Sequence, residues 1–181
     1  TLVKDMHFEQ LCIGVSLGDE TAQNVTFSSV VGCSFKDILG EASGSGYGVH
    51  LNGYDLQVRG CTFDNVCRHD VYCAKGGRMV VDGCISKNHR SSYNTATYRP
   101  AIEIARVSDV TVSNCIVYDF YDGAIAVNGV EADNLNCENI VVKGNHFKTA
   151  KNAAAALSIG EQAAADTVFT KNVSIVGNTF D

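Results

Sequence analysis

Apolar residues recur in this chain as pairs flanking a variable residue, and these triplets return in a set order. One series reads Val15-Ser16-Leu17, Val49-His50-Leu51, Val71-Tyr72-Cys73, Ile102-Glu103-Ile104, Ile125-Ala126-Val127 and Leu157-Ser158-Ile159. A second reads Val25-Thr26-Phe27, Leu56-Gln57-Val58, Met79-Val80-Val81, Val110-Thr111-Val112, Ile140-Val141-Val142 and Val173-Ser174-Ile175. A third element is a Gly or Asn followed by Cys or Asn and then, in most copies, an apolar residue two positions on. It reads Gly32-Cys33-Ser34-Phe35, Gly60-Cys61-Thr62-Phe63, Gly83-Cys84-Ile85-Ser86, Asn114-Cys115-Ile116-Val117, Gly144-Asn145-His146-Phe147 and Gly177-Asn178-Thr179-Phe180. Alternation with a period of two marks a half-buried strand. Each triplet therefore predicts a short strand with its outer members turned inward and its middle residue turned outward.

The Cys or Asn of the motif advances in steps of 28, 23, 31, 30 and 33 residues, as expected of coils whose turns differ in length. Three strands per coil, returning to the same register one coil higher, stack as parallel ladders about 4.8 Å apart around an apolar interior. The fold class expected is all-β, a solenoid of about six coils forming one domain over residues 1–181. Cys33, Cys61, Cys84 and Cys115 then form one interior column, continued by the amides of Asn145 and Asn178. Neither end carries a polar cap, so the native polypeptide is expected to be longer, or another chain to cover the ends.

Composition agrees with strands and turns: one Pro, no Trp, 17 Gly and a net charge of −6. No basic patch invites nucleic acid, and no apolar stretch approaches the ~20 residues of a membrane span. The eight cysteines follow the repeat rather than the pattern of a short disulfide-bonded scaffold. In Cys67-Arg68-His69-Asp70-Val71-Tyr72-Cys73, Cys73 is expected inward and His69 on an exposed turn, which argues against a zinc site; no metal or other cofactor is expected.

Candidate chemistry lies on the outer face of the first series. His50, Tyr72 and Glu103 should occupy consecutive rungs about 5 Å apart, an imidazole, a phenol and a carboxylate in line. The turns leading into this column add Arg68, His69 and Asp70, then Arg99, then Tyr121 and Asp122. Long segments at 38–47 and 88–99 beside short ones should wall a groove, and His89, Arg90, Tyr93 and Tyr98 suit stacking on sugars and pairing with carboxylates. The catalytic candidates are His50, Tyr72, Glu103, Asp70 and Asp122; the substrate-binding candidates are Arg68, His69, Arg99, Tyr98 and Tyr121. A purely structural surface ladder would also carry polar residues here. Val80, Ile85, Ile116 and Val141 should form an exposed apolar strip on the other faces.

The Gly-Cys/Asn turn motif and the Cys/Asn ladder resemble the pectate-lyase-like right-handed parallel β-helix superfamily, including phage tailspike and capsular depolymerase domains. The resemblance covers essentially the whole chain. It implies a right-handed coil, a polysaccharide partner along this face, an extracellular or virion setting, and a homotrimer or flanking domains. Calcium, which some lyases of that superfamily use, is implied only in this way, with no site designated. Two cleavage chemistries stay open. In β-elimination, Arg68 or Arg99 would neutralise a uronate while His50 or Tyr72 takes the C5 proton. In hydrolysis, Glu103 would pair with Asp70 or Asp122. The rival is a non-catalytic β-helix that binds glycan or acts as a spacer.

Overall fold

The structure is a computed structural model that describes residues 1–19, 21, 25–40, 44–89, 100–130, 136–150, 155–162 and 170–181. Strands fall into three columns. The first holds β3 (Ile13–Leu17), the leading half of β6 (Tyr47–Arg59), the leading half of β8 (His69–Asp82), β10 (Pro100–Ala105), β13 (Gly123–Val130) and β16 (Leu157–Gln162). The second holds β1 (Leu2–Lys4), β4 (Val25–Val31), the trailing halves of β6 and β8, β11 (Val107–Ser113), β14 (Cys137–Lys143) and β17 (Thr170–Val176). The third holds β2 (His7–Glu9), β5 (Ser34–Ile38), β7 (Thr62–Val66), β9 (Ile85–Lys87), β12 (Ile116–Tyr118), β15 (His146–Lys148) and β18 (Thr179–Phe180). All pairings are parallel and join one coil to the next, so the fold is a single-stranded right-handed parallel β-helix.

The repeat motif has a local cause. Gly32, Gly60, Gly83, Gly144 and Gly177 have φ near 60°, and Asn114 takes the same left-handed conformation at 55°. Only Gly, or an Asn or Asp, occupies that region at low cost. The next residue then enters the interior column. Each thiol there faces a carbonyl of the preceding coil, Cys61 to Val30 at 3.6 Å and Cys84 to Val58 at 3.8 Å. Asn145 and Asn178 do the same with their amides, donating to the carbonyls of Val112 (3.2 Å) and Val142 (2.9 Å). Cys and Asn are interchangeable in this column because both present a donor to the same carbonyl.

In the first coil the second-column triplet differs from the sequence expectation. The ladder pairs Ser28 with Leu56, Ser29 with Gln57 and Val30 with Val58, so the rung is Ser28-Ser29-Val30 rather than Val25-Thr26-Phe27. Phe27 instead occupies a left-handed position (φ 50°) and is 79% exposed. Apolar spacing alone favoured the wrong three residues there because Val25 and Phe27 mimic a rung.

A second interior column stacks aromatic rings, Phe8 on Phe35 and Phe35 on Phe63, at 5.0 Å between centroids. Room for them comes from glycine: a Cβ on Gly14 would meet the Phe35 ring at 2.5 Å, and one on Gly48 would meet the Phe63 ring at 2.8 Å and the Asp70 carbonyl at 2.6 Å. One coil on, both partners change, to Asp70 and Ser86. The Ser86 hydroxyl donates to the Asp70 carboxylate, and His89 Nδ1 lies 3.5 Å from its other oxygen, all three side chains being buried. Gly48→Ala should cost about 1–3 kcal/mol of stability, since the new methyl has no room beside Phe63. Urea unfolding of the variant against the wild type checks this, and an unchanged midpoint would remove the packing argument.

Candidate functional site

Strict alternation back from Val49 would turn Tyr47 into the core. The chain instead points two successive residues inward at this corner, Gly48 toward Phe63 and Val49 into the core, and Tyr47 emerges on the outer face. There it stacks on His50 at 4.9 Å, Tyr72 at 5.3 Å and His69 at 5.7 Å. The next coil repeats the device: Asp70 and Val71 point inward, and His69 joins Tyr72 on the outer face with rings 5.2 Å apart. Two residues per coil thus reach the site from the first column, where period-two reading finds one.

The ladder places Ser16, His50, Tyr72, Glu103, Ala126 and Ser158 on successive rungs. The His50 and Tyr72 rings lie 5.3 Å apart and within 5° of parallel. Asn52 Nδ2 lies 3.1 Å from His50 Nε2. With the amide nitrogen as donor, that ring nitrogen is the acceptor and carries no proton. On the next rung Glu103 receives the Asn128 amide at 3.3 Å and approaches His69 Nε2 at 2.7 Å. This second contact has ion-pair distance without the alignment of a hydrogen bond. His69 Nδ1 lies 2.7 Å from the Pro100 carbonyl, which can only accept, so the Nδ1 proton is held there. Nε2 of the same ring faces the Glu103 carboxylate.

Tyr72 is held as a neutral phenol. Burial pushes its pKa well above the ordinary value and the Glu103 charge raises it further, while Arg106, donating to the phenol oxygen at 3.0 Å, pulls the other way. Arg68 lies half-buried over the Tyr47 ring, 4.9 Å from its centroid, and no carboxylate among the described residues pairs with it.

The structure thus brings His50, Tyr72, Glu103, His69 and Arg68 to one face, and adds Tyr47, Arg106, Asn52 and Asn128, which sequence patterning missed. His69, expected on an exposed turn, is fully buried, with Nε2 against the Glu103 carboxylate. Asp70, expected beside Glu103 as a carboxylate partner, is turned into the coil against Ser86, because it sits at the second of the two corner positions and points inward. Asp122 is half-buried in the turn before β13 with Oδ2 unpartnered among the described residues, and Tyr121 beside it is 40% exposed. Tyr98 and Arg99 lie outside the described residues, as do Arg90 and Tyr93. His89 points to Asp70 rather than to the outer face. Cys67, His69 and Cys73 do not converge: Cys73 is in the core, Cys67 faces the Gly40 carbonyl, and both are free thiols.

Because the folded phenol holds its proton above the unfolded value of about 10, the contribution of Tyr72 is complete below that pH and is lost as pH rises past it. Stability should fall above pH 10, and Tyr72→Phe should make the fall shallower by up to about 1.4 kcal/mol per pH unit. Urea unfolding of both proteins between about pH 9 and 11 measures the difference, and identical slopes would contradict the burial of the phenol.

Comparison with known proteins bears on the fold. No curated protein matches the chain. Among solved structures, a mutant tailspike protein of E. coli bacteriophage HK620 in complex with a pentasaccharide is similar at 17% identity, with a TM-score of 0.46. That alignment covers 98% of this chain and 39% of the tailspike, so the chain spans well under half the length of that protein. The family profile described as right handed beta helix region matches residues 11–181. With coils, ladders and profile in agreement over nearly its whole length, the chain belongs to the right-handed β-helix family.

Proposed function

We propose that the first strand column binds a polysaccharide and cleaves it by acid/base chemistry, with elimination at a uronic-acid unit the reaction its side chains suit best. The observation that carries this reading is the adjacency of His50, with an unprotonated ring nitrogen, and Tyr72, a protonated phenol, on neighbouring rungs of one face. In the step, His50 Nε2 gives up its bond from the Asn52 amide and takes the C5 proton, the C4–O bond breaks as the C4–C5 double bond forms, and Tyr72 gives its proton to the departing oxygen. Acid and base on the same side of the sugar match a transfer in which both protons move on one face. Arg68 supplies the positive charge that a substrate carboxylate needs as its α-carbon loses a proton.

Hydrolysis is the less supported chemistry, since Asp70, one of the two carboxylates expected to pair with Glu103, is occupied inside the coil. The same reading extends to an extracellular or phage-tail setting. It also extends to a homotrimer, with the half-buried Val80, Ile116 and Val141 and the 38% exposed Ile85 as its apolar contact strip.

Incubation with a panel of acidic and neutral polysaccharides tests the proposal. An unsaturated product, seen as new ultraviolet absorbance, marks elimination, and His50→Ala or Tyr72→Phe should each lower turnover by about 10²–10⁴. Saturated reducing ends whose release stops in Glu103→Gln would mark hydrolysis instead. Binding without turnover would leave a glycan-binding β-helix and sink the enzymatic reading.

A further inference from the structure

Every coil leaves the first column through a corner, and the one between β10 and β11 is occupied by Arg106 in the left-handed region (φ 60°). Arg106 spans two coils. Its Nε donates to the Ala74 carbonyl at 3.2 Å, and its Nη2 donates to the Tyr72 phenol oxygen at 3.0 Å. Ala74 is the bulge residue of β8: the ladder runs Leu51 to Cys73 and then Asn52 to Lys75, so Ala74 has no rung partner in β6. The bulge gives Arg106 a carbonyl to hold, and the guanidinium is thereby aimed at the phenol.

Arginine has donors only, so the phenol oxygen must be the acceptor in this contact and its own proton must go elsewhere. Among the described residues no acceptor takes that proton. The groups that face Tyr72 are the rings of Tyr47, His50 and His69, the Glu103 carboxylate on the next rung, and Arg106. Arg106 is the one permanent cation in this set.

The geometry points to Arg106 as a positioning residue for Tyr72, holding the phenol oxygen so that the hydroxyl proton is left for a substrate oxygen and pairing with the phenolate that donation leaves behind. This rests on the reading of Tyr72 as the proton donor. When Tyr72 donates, its O–H bond breaks and an O–H bond forms on the departing sugar oxygen. The phenolate pairs with Arg106 until water returns a proton, while the proton taken by His50 leaves to solvent. Burial and the Glu103 charge both disfavour the phenolate, which makes such a counterion necessary if the phenol is to turn over.

The test places a difluorotyrosine, whose phenol ionises in an accessible pH range, at position 72 of the full chain and follows it by fluorine NMR. Arg106→Met and Arg106→Gln should each raise its ionisation midpoint by about one to two pH units, and Arg106→Lys by less. In the unsubstituted background the Arg106 side-chain nitrogen resonances should titrate with the same midpoint, which keeps the test open if the neutral variants fail to fold. An unmoved midpoint in a folded neutral variant, or arginine resonances indifferent to the phenol, overturns the assignment whether or not the chain cleaves glycan. On a substrate that is cleaved, Arg106→Met should lower kcat by about 10–100-fold with little change in KM. A loss confined to KM would contradict the role. A shifted midpoint in a chain that cleaves no glycan removes the reaction that the pair would serve.

Discussion

In-register parallel stacking is the constraint on which everything else in this molecule depends. Each strand satisfies its backbone hydrogen bonds only through the coil above and the coil below, so a residue's neighbours are the residues at the same position one coil away. Columns of like side chains follow: stacked phenyl rings, a run of thiols that passes into amides, and valines on valines. The same stacking makes groups some 22 and 31 residues apart in sequence, His50, Tyr72 and Glu103, into neighbours.

Turns between strands are set by backbone conformation as much as by packing. Besides the glycine column, a second line of left-handed residues crosses the second strand column at Asp55, Arg78, Asp109, Asn139 and Asn172. These polar side chains join one coil to the next on the surface. Arg78 forms a forked pair with Asp55 at 2.8 Å, and amides link Asn139 to Asp109 and Asn172 to Asn139. Exposed pairs of this kind contribute little singly. Their regularity nonetheless reports the register, because the αL position recurs at the same place from one of these rungs to the next.

Burial governs the character of the candidate site. Tyr47, His69 and Asn52 are almost wholly removed from solvent, and His50 and Glu103 are less than a tenth exposed. Polar groups in such surroundings need partners, and they have them in one another: an amide on His50, an amide and an imidazole on Glu103, a guanidinium on Tyr72. Low exposure also strengthens each charge, so that a phenol stays protonated beside a carboxylate. The interior cluster of Asp70, Ser86 and His89 obeys the same rule one layer down, exchanging the Gly and Phe of the neighbouring coil for an acid, a hydroxyl and an imidazole.

Triplet alternation and the Gly-Cys/Asn motif were enough to establish three strands per coil, the stacking of His50, Tyr72 and Glu103, and the inward Cys/Asn column. Those features are periodic, and periodicity is a property of the sequence. The corners are not periodic in that sense. At Tyr47-Gly48-Val49 and His69-Asp70-Val71 two consecutive residues turn inward, and a strict period of two assigns the first and second residue of each run to the wrong side. Tyr47 and His69 were thereby brought to the outer face, while Asp70 was withdrawn into the coil. Arg106 escaped notice for a related reason: it belongs to no triplet, and its reach to Tyr72 depends on a bulge at Ala74 that leaves no mark in the hydrophobic pattern. Outside the first coil of the second column, sequence alone determined which residues share a rung, because stacking repeats an apolar period. Only the tertiary structure decided which side of the wall each corner residue occupies, because that depends on a local backbone twist and on whether a ring or a glycine fills the space beneath.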